Sequence, residues 1–124
     1  MATEDYVSFE VAKLLKEKGF NFQCEHYYDE NGRLDGDFTT KPYPCPTHTQ
    51  IQWWLREKKN VIFYIDFEPH HGWVFYLGNI IRDCEGRVVD VQHCVWSDDV
   101  EQPHYYFYEQ AVEAALKSAL ESLI

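Results

Sequence analysis

The stretch Val61-Ile62-Phe63-Tyr64-Ile65-Asp66-Phe67-Glu68, followed at once by Pro69-His70-His71-Gly72, decides how this chain folds. Val61, Phe63, Ile65 and Phe67 share one parity, and Ile62, Tyr64, Asp66 and Glu68 share the other. Successive side chains of a β-strand point to opposite faces, so the segment reads as a strand with one solidly apolar face. Pro69 to Gly72 is turn chemistry, and Trp73 to Arg82 beyond it reads as a second strand with a bulge at Gly78. Asp83-Cys84-Glu85-Gly86 turns the chain again into a third strand, Arg87 to Trp96. Three consecutive strands joined by short turns predict an antiparallel meander.

Working back toward the N-terminus, Thr47 and Gln50 have the spacing of a capping box. Ile51, Trp54 and Leu55 follow at helical spacing, and Arg56, Lys58 and Lys59 suit a helix C-terminus near Asn60. Lys41-Pro42-Tyr43-Pro44-Cys45-Pro46 reads as a connector, because proline removes backbone donors and holds the chain extended. Asn21 to Tyr28 and Arg33 to Phe38 flank the turn Asp29-Glu30-Asn31-Gly32 and predict a first hairpin. Ahead of it, Ser8 caps a helix with an apolar stripe of Phe9, Val11, Ala12, Leu14 and Leu15, stopped by Gly19.

Beyond the meander, Asp98 to Pro103 reads as a polar loop. From about Phe107 a long helix follows, with Tyr108, Ala111, Val112, Ala115, Leu116, Ala119, Leu120 and Leu123 on one face and a Glu113–Lys117 pair on the other. Helices interspersed with hairpins predict one α+β domain over 1–124, with about five antiparallel strands and three helices packed mainly on one face.

The 124 residues, 45% of them hydrophobic, suffice for a single core. The acidic start Met1-Ala2-Thr3-Glu4-Asp5 lacks the basic region of a secretory signal, and no apolar run approaches the roughly 18 residues a membrane helix needs. A cytoplasmic protein without membrane attachment is expected. Eleven Lys and Arg against 21 Asp and Glu give a net charge of −10, a field that repels phosphate backbones, so no nucleic-acid partner is expected. In a reducing compartment Cys24, Cys45, Cys84 and Cys94 read as free, mostly buried thiols. Cys24-x-His26, Cys45-x-x-His48 and His93-Cys94 lack the paired spacing of structural zinc, so neither metal nor other cofactor is expected.

Phosphate-binding glycine loops, the G-x-S-x-G elbow and zinc-protease helices are all missing from the sequence. The densest polar group is Asp66-Phe67-Glu68-Pro69-His70-His71, in which Asp66, Glu68, His70 and His71 could serve a small metal-dependent hydrolase. His93 shares parity with Val89, Val91 and Val95, which predicts a hydrogen-bonded histidine on an apolar face. With His70 and His71 it makes an alternative polar site. Nine Tyr, eight Phe and four Trp point instead to recognition, because aromatic rings dominate binding hot spots. If the strand's apolar parity faces the helices, Tyr64, Asp66 and Glu68 face outward with Tyr76 beside them, forming an acidic aromatic patch for a protein partner. A third possibility is an acidic mimic of nucleic acid, for which the charge is permissive but the interspersed lysines leave no regular row.

Three stretches carry a resemblance: Ser8 to Phe20, Pro46-Thr47-His48-Thr49-Gln50-Ile51-Gln52-Trp53-Trp54-Leu55-Arg56-Glu57, and Tyr108 to Leu116. Together they resemble a family of short uncharacterised proteins carried by phages and integrated elements of gut bacteria. The resemblance implies a small accessory protein in a bacterial cytoplasm and transfers no catalytic residue. The expected function is accordingly a non-catalytic binding or inhibitory module.

Overall fold

The computed structural model describes residues 6–35, 42–96 and 104–124. Over them the order is α1 (Phe9–Glu17), β1 (Tyr27–Tyr28), β2 (Tyr43–Pro44), α2 (His48–Lys58), β3 (Val61–Glu68), β4 (Gly72–Arg82), β5 (Val88–Trp96) and α3 (Tyr108–Ser122). The architecture is α+β, with three helices and two antiparallel sheets, β1-β2 and β3-β4-β5.

Both capping predictions are met atom by atom. Ser8 Oγ accepts the Val11 N–H at 3.2 Å, and Gly19 takes φ +87° just past the end of α1. The Gln50 N–H donates to Thr47 Oγ1 at 3.1 Å while the Thr47 N–H donates to Gln50 Oε1 at 2.9 Å, so two donors orphaned at the start of α2 are satisfied reciprocally. The helical stripes then meet the sheet. Leu15 of α1, Ile51 and Leu55 of α2, and Ala111, Ala115, Leu116, Ala119 and Leu120 of α3 are buried with Val61, Phe63, Phe75 and Leu77 in one cluster.

The meander has the predicted order. Pairing of β3 with β4 runs unbroken from Val61–Asn79 to Glu68–Gly72, whereas β4–β5 slips between Leu77 and Gly78, at the predicted bulge. A side chain at Gly78 would stand 2.8 Å from Val91 Cγ1, so the close approach of β5 requires glycine there. Beyond the end of β5, Tyr105 takes the place beside β4 and exchanges two backbone hydrogen bonds with Trp73, at 2.8 and 2.9 Å.

Four expectations need correction. Among the described residues the first hairpin is only a short one: Tyr28 bridges Leu34 and the Asp35 N–H donates to the Tyr27 carbonyl at 2.7 Å, while β1 also pairs with β2, inside the proline stretch that reads as a connector. Pro44 lacks a donor, but Cys45 next to it supplies one, its N–H reaching the His26 carbonyl at 3.1 Å, and so short a ladder needs no more. Residues 36–38 of the expected strand, and the loop 98–103, lie outside the described residues. Phe67, on the core parity of its strand, is 52% exposed and packs at 5.1 Å against Trp73, because it sits at the far end of β3, past the last buried residue of that strand. Tyr108, expected on the apolar face of the last helix, is exposed and also meets Trp73, edge to face at 5.2 Å. Finally, Glu113 and Lys117 do not pair: Lys117 Nζ reaches Glu10 at 2.6 Å, and Glu113 turns inward.

Candidate functional site

Strand β3 sends Tyr64 and Asp66 away from the core, and its register sets Tyr64 directly opposite Tyr76. Tyr64 is 40% exposed and Asp66 is exposed, while Tyr76 and Glu68 are half-buried. The His93 ring lies 5.8 Å from the Tyr64 ring, across β4, and Gly78, paired with both Ile62 and His93, puts no side chain between them. Val74 and Ile80 are buried on this same parity of β4, outside the main core cluster. The outward face therefore carries an aromatic strip on an apolar base, with Asp66 at one side.

His93 thus occupies a different place from the one predicted. It is exposed, as are Val88 and Val89, the latter by 59%. Valines on an edge strand record its preference for branched side chains and do not mark a core face, so the parity argument fails there.

The other polar group is only partly assembled. Glu68 Oε2 lies 3.4 Å from His104 Nε2, and the His104 ring stacks on His71 at 5.0 Å. Asp66 is occupied elsewhere, its Oδ1 accepting the Phe67 N–H at 2.9 Å, and His70 is exposed at φ +71°. No set of three His, Cys, Asp or Glu side chains among the described residues is arranged to hold a metal ion.

A second cluster has the membership of a hydrolytic triad and the wrong order. Glu113 of α3 accepts from Ser8 N–H at 3.0 Å, from Ser8 Oγ–H at 2.9 Å and from His48 Nε2 at 2.8 Å. A nucleophilic serine needs its hydroxyl on the imidazole, with the carboxylate behind. Here the carboxylate stands between the two, and Ser8 Oγ is also held by the Val11 N–H. The arrangement is a tie: one anion sits at the N-termini of both α1 and α2, where the helix dipoles favour it. Nor do the thiols offer a nucleophile, since burial pushes both Cys24 and Cys45 up, away from the reactive thiolate. Burial and the neighbouring Cys45 likewise raise Tyr28, whose hydroxyl donates to the Val7 carbonyl at 2.7 Å. Cys84 is exposed and free, and the Cys94 side chain lies outside the described residues.

Sequence reading misses this tie because it joins positions 105 and 65 residues apart, for which no local pattern exists. No described helix is long and apolar enough to cross a membrane. Comparison with protein-family models, with curated proteins and with solved structures found no match to this chain.

Proposed function

We propose that this chain is a small non-catalytic binding protein that recognises a protein partner through the outward face of β3 and β4, with Tyr64, Asp66, Glu68 and Tyr76 as its contacts. The observation that supports this reading is the pairing of exposed Tyr64 with Tyr76 across β3 and β4, beside a carboxylate and over buried Val74. Rigid aromatic side chains on a strand pair lose little conformational freedom on binding, and the carboxylates steer a partner with a basic surface. The resemblance read from Ser8–Phe20, Pro46–Glu57 and Tyr108–Leu116 supports a setting in the cytoplasm of a bacterium carrying a phage or integrated element. In that setting the module acts as an accessory or inhibitory protein on a host or element protein.

The test uses the immobilised full chain as bait in a lysate of such a host, beside a Tyr64→Ala bait shown by thermal melting to be folded. A protein retained by the first and lost from the second supports the reading. Equal retention by both baits moves the interface elsewhere, and a metal-dependent turnover abolished by changing Asp66 or Glu68 replaces the reading with an enzymatic one.

A further inference from the structure

The three-stranded sheet has two edges, and they are finished differently. On β5 the pairing with β4 slips twice, at Leu77/Gly78 and at Ile81/Arg82, and Asp90 Oδ1 takes the Val91 N–H at 2.8 Å. Irregularities of this kind blunt an edge against further pairing. The register of β3 with β4, by contrast, is unbroken over all eight residues of β3. A side-chain acceptor closes it only at its end, where Asp66 Oδ1 takes the Phe67 N–H at 2.9 Å. Among the described residues no further strand pairs with β3.

The parity of its free backbone groups follows from the ladder. The Asn60 carbonyl accepts the Ile80 N–H at 2.7 Å, so Ile62–Gly78, Tyr64–Tyr76 and Asp66–Val74 are the pairs that exchange bonds. Phe63 and Ile65, between them, aim their N–H and C=O groups away from β4. Trp73, opposite Phe67, agrees: it spends both groups on Tyr105, on the far side of β4. No described residue takes the backbone groups of Phe63 or Ile65. A regular strand edge of this length is a template for strand addition.

The charge along the segment says what adds. The chain carries −10 overall, yet Arg56 to Glu68 holds three cations and three carboxylates. They are sorted by end: Arg56, Lys58 and Lys59 stand before the strand, and Asp66 and Glu68 close it. Lys58 and Lys59 lie over the Trp53 and Trp54 rings, at 5.7 and 5.3 Å, and neither makes an ion pair among the described residues. A parallel copy of the strand would set like charge on like. An antiparallel copy sets each basic end beside an acidic one, and the local neutrality spares this edge the repulsion that the net charge imposes elsewhere. With a two-fold axis near Tyr64, Phe63 and Ile65 of one copy exchange backbone bonds with Ile65 and Phe63 of the other.

We propose that two copies of this chain join edge to edge through antiparallel β3 strands, making one six-stranded sheet. Sedimentation of the purified full chain over a range of concentrations tests it without any captured partner, so its outcome is independent of the recognition face. Wild type should pass from monomer to dimer in the micromolar range. Lys58→Glu with Lys59→Glu makes both ends acidic, and Asp66→Lys with Glu68→Lys makes both basic. Each double variant alone should dimerise about tenfold or more weakly, and an equal mixture of the two should recover the wild-type strength. The basic variant has the smaller net charge of the two, so a loss there is not general repulsion. Ile65→Pro removes an outward N–H and no bond to β4, and should abolish the dimer. A melt checks the folding of each variant, and the charge pair decides the matter by itself if Ile65→Pro does not fold. A wild type that stays monomeric at hundreds of micromolar overturns the proposal. So does a dimer that survives folded Ile65→Pro, or a mixture no tighter than its components.

Discussion

Asp29-Glu30-Asn31-Gly32-Arg33 and Asp83-Cys84-Glu85-Gly86-Arg87 build the same turn twice. In each, the aspartate N–H donates to the arginine carbonyl at 2.9 Å, and the glycine N–H returns to the aspartate carbonyl, at 3.1 and 3.0 Å. In each, aspartate Oδ1 accepts two further N–H groups at 2.9 Å, and the glycine adopts a left-handed φ, +80° and +85°. The two turns nevertheless build different structures. Among the described residues the first leads to a single bridge, with Asp29 buried and Gly32 pressed on the Phe9 ring. The second, with open space around Gly86, joins β4 to β5 in a full ladder. An Asp-x-x-Gly-Arg turn is thus written locally, whereas its consequence is set by what packs on it. One copy plugs the helical side of the molecule; the other is a hairpin tip in water.

Substitution of the two glycines should separate the copies most widely. At Gly32 an alanine Cβ would sit 2.8 Å from a Phe9 ring carbon as well as in a left-handed backbone, whereas at Gly86 only the backbone objects. We expect Gly32→Ala to cost about 2–4 kcal/mol in urea unfolding and Gly86→Ala about 1–2. Equal costs would mean that Phe9 yields freely and the first turn is not a plug. The aspartates come next. Asp29→Ala removes a buried carboxylate that accepts two N–H groups and should cost about 2 kcal/mol, whereas water replaces much of what Asp83→Ala removes, so that its loss should be smaller.

The part of the fold that was legible is the part whose signal is local or periodic. The alternation from Val61 to Glu68, the Thr47–Gln50 box and the Gly78 bulge each have their cause within a few residues. The β1–β2 pair was not legible, because two residues define no period and Pro44 argues against a strand. Glu113 looks in sequence like half of an exposed helical pair, and nothing near it announces Ser8 or His48. For the site, strand parity located Tyr64 and Tyr76 together but misjudged His93, since the edge strand exposes valines of both parities at its start, Val88 and Val89.

A smaller effect distinguishes the exposed turn by pH. The N–H groups of Arg87, chiefly the backbone one, together with those of Glu85 and Gly86, hold the Asp83 carboxyl below the ordinary range. A folded pKa depressed in this way contributes stability above the unfolded value, roughly 4, and loses it as pH falls through the folded value. The stability difference between wild type and Asp83→Asn, followed by urea unfolding from neutral pH downward, should therefore narrow in acid. A difference that stays constant would show that the hydrogen bonds to Asp83 do not depend on its charge.

Because the second turn leaves β4 and β5 as an open hairpin, the face it presents beside Tyr64 is where we place recognition. The most direct test is the binding kinetics of a captured partner to wild type, Tyr64→Ala and the charge reversal Asp66→Lys with Glu68→Lys, each at two salt concentrations. On our account Tyr64→Ala weakens affinity by about 1–3 kcal/mol, mostly through faster dissociation, while the reversal slows association and flattens its salt dependence. Affinity and association rate unchanged in these folded variants would contradict it.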